Sequence, residues 1–241
     1  MTTALNGSPA GRVAIVTGGS RGVGGATVRR LAARGYAVVV NYLHDQRAAE
    51  LTVEAILAGN SDALAVRADV ADDLDVQRLF AETIAAFDGI DVVVHAVGSR
   101  ITAAPVTEAG LDEFDALMRI NARATFVVNR EAARRLRNGG AIVNLSSSAD
   151  GSSLRTHGLY AATKAPTDVL TRAFALELRE RNITVNAVSL AVDKPCAPNR
   201  VADVIAYLLS EHARGLTGQV LRVGDPGSHS KVPRDTRPPC H

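Results

Sequence analysis

Tyr160 and Lys164 stand four residues apart in Tyr160-Ala161-Ala162-Thr163-Lys164. On a helix that spacing puts both side chains on one face, within reach of one ligand. A phenol with a free pKa of ~10 is a poor acid–base group near neutrality, and an adjacent ammonium favours its phenolate. The pair is thereby equipped to donate and accept a proton. With four tyrosines and three lysines in the chain, chance alone gives this spacing with a frequency of ~0.05, so the pair needs company. Thirteen residues earlier lies Ser147, in Asn144-Leu145-Ser146-Ser147-Ser148, just past an apolar run. A hydroxyl at the carboxyl edge of a parallel strand can donate to a carbonyl oxygen. A serine standing alone reads equally as a turn or a cap.

A second constellation is Thr17-Gly18-Gly19-Ser20-Arg21-Gly22-Val23-Gly24. Glycines there allow a tight turn and let backbone approach a pyrophosphate, and a following helix offers free N–H groups and the positive end of its dipole. A glycine cluster by itself is a weak signal. Its position, after the first β-branched run and before a helical pattern, is the one that mechanism requires. The spacing is TGxxxGxG rather than GxGxxG.

Positioning these residues takes a sheet with helices on both faces. Near-continuous apolar runs at Arg12–Thr17, Ala37–Asn41, Ala63–Ala68, Ile90–Ala96, Ala141–Leu145, Ile183–Ser189 and Gln219–Val223 are those of strands buried on both faces of a parallel sheet. Between them, Val23–Arg34, Asp45–Leu57, Asp72–Phe87, Leu111–Arg137, Tyr160–Arg181 and Asn199–Glu211 have helical spacing. The alternation predicts βαβ units and a single α/β domain, a Rossmann-type doubly wound parallel sheet of about seven strands. Residues 1–241 are read as one domain with a core from about 12 to 223, and the Pro- and Ser-rich stretch 224–241 as an irregular tail.

Composition narrows the class. The 241 residues are 46% hydrophobic and 22% charged, with a net charge of +2. That balance excludes disorder and gives no reason to expect a nucleic-acid or membrane partner. No apolar run approaches the ~18 residues of a membrane helix, and Met1 to Ala10 lack a signal-peptide pattern. Two cysteines, Cys196 and Cys240, make no disulfide framework, so a reducing, cytoplasmic location is expected. Six histidines without HExxH or Cys/His spacing predict no metal site. Nothing near Cys196 in sequence activates it as a nucleophile.

From about Arg12 to Val223 the chain resembles a classical short-chain dehydrogenase/reductase, in particular the 3-oxoacyl-thioester reductases. The resemblance implies a dinucleotide bound at Gly18, Ser20, Arg21, Gly22, Val23 and Gly24. It also implies a catalytic tetrad. Tyr160 matches the acid/base. Lys164 matches the residue that holds the nicotinamide ribose and lowers the tyrosine pKa. Ser147 matches the residue that orients the substrate oxygen, and Asn121 the one that anchors a relay water. Asp69 and Val70 match the pair that contacts adenine. An NAD-type site wants an acid after the second strand. Here that position reads Val40-Asn41-Tyr42, and Arg21 offers a guanidinium for a 2′-phosphate. NADP(H) is therefore expected, with NAD(H) less favoured and Asn41 among the cofactor contacts.

Three features depart from the family pattern. Asn-Asn-Ala-Gly appears as His95-Ala96-Val97-Gly98, so that only Gly98 matches. Leu190-Ala191 replaces Pro-Gly. The segment from Val192 to Pro198 lacks roughly 20 residues of the usual substrate lid. The reading is an NADPH-dependent carbonyl reductase for a ketone, of the 3-oxoacyl thioester or polyketide type, with a small-molecule or carrier-tethered substrate. The alternative is a degenerate member acting as a non-catalytic NADP-binding sensor or scaffold subunit. By analogy with the family, a homo-oligomer, dimer or tetramer, is expected.

Overall fold

The structure, a computed structural model, describes residues 11–99, 104–148, 153–192 and 196–224. Seven strands form one parallel sheet in the order β3-β2-β1-β4-β5-β6-β7. They are β1 Val13–Thr17, β2 Ala37–Tyr42, β3 Ala63–Arg67, β4 Val92–His95, β5 Ala141–Ser148, β6 Thr184–Ala191 and β7 Val220–Val223. The helices are α1 Gly22–Ala32, α2 Gln46–Leu57, α3 Asp73–Phe87, α4 Leu111–Leu117, α5 Ala124–Arg135, α6 Leu154–Glu177 and α7 Pro198–Leu208. All of the expected tail 224–241 except Gly224 lies outside the described residues, as do residues 193–195 of the short segment after β6.

Strand alternation divides the core between the two faces. Val13 and Ile15 of β1 pack with Phe80 of α3, Val128 of α5 and Phe174 of α6. Ala14 and Val16 point the other way, toward Leu31 of α1, Val53 of α2 and Ile205 of α7. Every one of these strand residues is fully buried, which is why the runs read as continuously apolar. Strand order reverses between β1 and β4, and a crevice opens beyond their carboxyl ends, where α/β sheets bind ligands.

Four elements differ from the sequence expectation, each for a local reason. The stretch Leu111–Arg137 is not one α-helix. A π-helical turn at Met118–Arg123 separates α4 from α5; such wide turns recur at functional sites, and this one carries the buried Asn121. Helix α6 begins at Leu154 rather than Tyr160, with non-helical dihedrals at His157 (φ −122°, ψ 19°) and Pro166 in its interior. Pro166 leaves the carbonyl of Ala162 without its helical donor, and Ala162 is exposed, so water can satisfy it. Strands β5 and β6 run further than expected because they pair with each other out to Ser148 and Ala191.

The glycine turn is held by packing as well as by conformation. Gly18 has φ +62° and Gly22 φ +58°, values that favour glycine. Gly24 is needed for space: a Cβ there would lie 2.2 Å from the Gly18 carbonyl oxygen. Replacing Gly24 by Ala forces backbone apart, and overpacking of this kind costs roughly 1–3 kcal/mol. The expected outcome for Gly24→Ala is a lower melting temperature by calorimetry together with weakened dinucleotide binding by titration. An unchanged melting temperature would contradict the close approach.

Candidate active site

One cavity of about 860 Å³ runs over the carboxyl edge of the sheet, from the glycine turn to the ends of β5 and β6. At one end Gly18, Gly22, Val23 and Gly24 line it. The amino end of α1 has no side-chain cap, so its backbone N–H groups are available to an anion. A glycine cradle that a Cβ would fill, an uncapped helix end and a cavity of this size together fit a dinucleotide.

Arg21, Asn41, Asp69 and Val70 also line the cavity, and each is held differently. Arg21 is largely exposed, and its guanidinium lies 3.6 Å from the Asp45 carboxylate. Asp45 is also the N-cap of α2, accepting from the Ala48 N–H at 3.0 Å. Asn41 is buried; its amide donates to the carbonyls of Ala68 and Val66, at 3.0 and 3.3 Å. Its Oδ1 faces the Gly18 N–H at 3.4 Å, and its backbone carbonyl accepts from the Gly19 N–H. Asn41 thus braces the glycine turn against β2 and β3. Asp69 accepts from the Arg119 guanidinium at 2.7 Å and from the Ala71 N–H at 2.9 Å. Burial works to raise the Asp69 pKa, but the bonds from Arg119 and Ala71 and the Arg119 charge outweigh it and hold the carboxyl below its ordinary value.

At the other end Gly98, Ser147, Tyr160 and Lys164 share the cavity with Leu190 and Cys196. Tyr160 is 7% and Lys164 3% exposed. The Lys164 ammonium donates to the carbonyls of Val97 and Leu145, both at 3.2 Å. Gly98 makes room for it, since a Cβ there would lie 2.7 Å from Nζ. Burial lowers the Lys164 pKa to about 8, against the opposing charge of Asp168. The Ser147 hydroxyl donates to the Leu190 carbonyl at 3.0 Å. Asn121 is not on the cavity wall. Its amide donates to Ser99 O and Thr163 Oγ1, and its Oδ1 accepts from the Ser99 N–H, all within 3.1 Å. Its backbone carbonyl accepts from Thr125 Oγ1 at 2.7 Å. Asn121 therefore ties the loop after β4 to α6.

His95 is fully buried, with Nδ1 2.9 Å from Thr17 Oγ1 and Nε2 without a partner. Burial and the neighbouring Lys164 charge lower its pKa to about 3, so it remains a neutral link between β1 and β4. Among the described residues no group of His, Cys, Asp and Glu could hold a metal, and no helix is long and apolar enough to cross a membrane.

The sequence reading missed four of these side chains. Asp45 carried only a helix-cap signal. Thr163 lay inside the Tyr160–Lys164 motif but had no assigned partner. Arg119 and Asp168 carried no local signal; their partners lie 50 and 22 residues away.

A protein-family model described as Enoyl-(Acyl carrier protein) reductase matches residues 18–195. Versicolorin reductase 1 of Aspergillus parasiticus is 37% identical over 230 residues, 88% of this chain and 87% of that protein. The chain belongs to the short-chain dehydrogenase/reductase family. It is an NAD(P)-dependent oxidoreductase. The Hydroxynaphthalene reductase-like protein Arp2 of Metarhizium majus is 40% identical over 183 residues, 76% of this chain and 68% of that protein. Among solved structures, a blue fluorescent protein from a metagenomic library in complex with NADPH has a TM-score of 0.81 at 32% identity, covering 89% of this chain and 96% of that one.

The buried lysine of this family member makes stability depend on pH. Its folded pKa of about 8 lies below the ordinary 10.5, so between those values the unfolded chain holds a proton that the native one has released. Stability from this group rises with pH across that window, and below about pH 8 the native state bears the full cost, about 3 kcal/mol. Denaturant titrations from pH 7 to 10.5 should show this rise relative to Lys164→Met. Parallel curves for the two proteins would refute it.

Proposed function

We propose that this protein is an NADPH-dependent carbonyl reductase acting on a polyketide-type ketone. The observation that carries the reading is that Tyr160, Ser147 and Lys164 face one cavity together with the glycine turn. Relatives named as versicolorin and hydroxynaphthalene reductases, and a structural neighbour in complex with NADPH, support both substrate class and cofactor. When bound, NADPH supplies the hydride for the carbonyl carbon.

The chain's own residues do the rest. Ser147 turns its hydroxyl from the Leu190 carbonyl to the substrate oxygen. Tyr160 donates its phenolic proton to that oxygen as negative charge develops on it. The Lys164 ammonium favours the resulting phenolate and holds the nicotinamide ribose. Asn121 fixes the loop after β4 and α6 in register, so that the proton can be replaced through the Lys164 side. At the far end Arg21 would hold a 2′-phosphate in place of Asp45, since that exposed ion pair contributes only ~0–1 kcal/mol, less than a charged hydrogen bond. Asn41 supports the glycine turn from beneath, and Asp69 and Val70 flank the adenine.

Only six residues separate the end of β6 at Ala191 from the start of α7 at Pro198. A bulky or carrier-tethered ketone covers the opening better than a small one. The exposed apolar side chains of Phe126 on α5 and Val169 and Leu176 on α6 support a homo-oligomer built through those helices. The bond between Ser147 and the Leu190 carbonyl favours the second reading, a non-catalytic NADP-binding sensor, because it engages the hydroxyl that catalysis needs.

Two variants test these assignments. Tyr160→Phe keeps the ring and removes only the proton donor, so NADPH oxidation with a panel of aromatic ketones should be abolished while fluorescence titration still shows NADPH binding. Wild-type turnover in that variant would refute the acid/base role, and binding without turnover in the wild type would decide for the sensor. Arg21→Ala should weaken NADPH binding by about 1.5–3 kcal/mol and leave NADH nearly unchanged. Equal weakening of both cofactors would make Arg21 a structural residue.

A further inference from the structure

The face of α6 that carries Tyr160 and Lys164 continues for one more turn to Asp168. Residues 160, 164 and 168 are spaced i, i+4, i+8, so they stack along one side of the helix. Opposite them runs the end of β5. There the Ser146 hydroxyl donates to Asp168 Oδ1 at 2.6 Å, a length typical of a charge-assisted bond. Ser146 is buried, and its chain neighbour is Ser147. With the bonds from Lys164 to the Leu145 carbonyl and from Asn144 to Thr171, this bond joins the strand that supplies Ser147 to the helix that supplies Tyr160 and Lys164.

We propose that Asp168 is a positioning residue of the active site: clamped by Ser146, its carboxylate holds the end of β5 against α6 and stands one helical turn from the buried Lys164. This rests on the reading of Lys164 as the ammonium that serves Tyr160.

The charges around Lys164 leave Asp168 as the counter-charge. From β4 it faces His95, which is neutral. From β5 it faces only hydroxyls and the Leu145 carbonyl, and β6 has no ionisable residue. From the π-helical turn comes the uncharged amide of Asn121; its Arg119 is exposed and paired with Asp69, and its Arg123 is exposed. On α5 the buried Glu131 is matched by Arg134 and Arg135. The acids of α4, Asp112, Glu113 and Asp115, are exposed, as is Glu108 in the turn before it. On α6 itself the titratable neighbours are the neutral phenol of Tyr160, Asp168, and the exposed Arg172 one turn beyond. Burial lowers the Lys164 pKa, and the Asp168 charge is what opposes it. Without that charge the ammonium loses its proton at a lower pH.

The chain has only three lysines, Lys164, Lys194 and Lys231, so Lys164 can be watched directly. Full-length protein labelled with [ε-¹³C]lysine gives three signals, and Lys164→Arg identifies the one that matters. In Asp168→Asn the Lys164 titration midpoint should fall by about one pH unit, while Asp168→Glu should retain the wild-type midpoint. The alkaline limb of kcat/KM should move down by the same amount in Asp168→Asn, a change that looser packing alone does not produce. If Asn disturbs folding, Asp168→Ser carries the same test with a smaller uncharged side chain. A folded charge-removed variant with an unmoved midpoint overturns the proposal. The NMR arm does not depend on turnover: a shifted midpoint in a protein that reduces no ketone upholds Asp168 and overturns the reductase reading, whereas normal turnover with an unmoved midpoint overturns Asp168 alone.

Discussion

A lysine ammonium almost wholly withdrawn from water is the constraint around which this site is built. Burying an unpaired charge is costly, and the usual outcome is a lost proton or a compensating set of dipoles. Here Lys164 donates to two backbone carbonyls, of Val97 beyond β4 and of Leu145 in β5. Val97 lies just past the end of β4, and Leu145 lies just past the β4–β5 pairing while still paired with Val188 of β6. The ammonium is thereby fixed over the sheet edge, one helical turn from Tyr160.

The surrounding residues follow from that placement. Gly98 leaves room for the lysine end, which a Cβ there would push from its present place. His95, against the same charge, is neutral. Asn121, turned inward by the π-helical turn, ties Ser99 to Thr163 and so fixes the loop from which Val97 presents its carbonyl. The glycine turn at the opposite end is likewise braced from below, by Asn41. A dinucleotide cleft results whose two ends are positioned by buried amides rather than by the side chains that face the ligand.

Departures from the family pattern fall mostly on the substrate side. With Leu190-Ala191 in place of Pro-Gly, β6 continues its pairing with β5 to Ser148 and Ala191, and the chain then passes within a few residues into α7. The Leu190 carbonyl sits where the Ser147 hydroxyl reaches it, so the proposed mechanism requires Ser147 to exchange one acceptor for another. The same shortening brings the buried Cys196 to the cavity wall beside Leu190, a contact that its isolated position in the sequence did not announce.

Periodicity by itself determined the seven strands, the alternating helices and the parallel order, since a strand buried on both faces must be apolar throughout. The spacing of Tyr160 and Lys164 set them on one helical face before any fold was known, and the glycine run placed a phosphate-binding turn after the first strand. Other features arise between segments distant in sequence, and only the tertiary structure decided them. The sequence showed Asn121 as one residue in a long helical stretch; the π-helical turn and its contacts to Ser99 and Thr163 required the packed core. Asn41 was read as a ligand contact, and the fold shows a buried amide bracing three backbone segments. Arg119 on Asp69, Asp45 beside Arg21, and Asp168 on Ser146 pair residues between 22 and 50 positions apart. Side-chain partners of that kind are set by how strands and helices stack, and no local pattern encodes them.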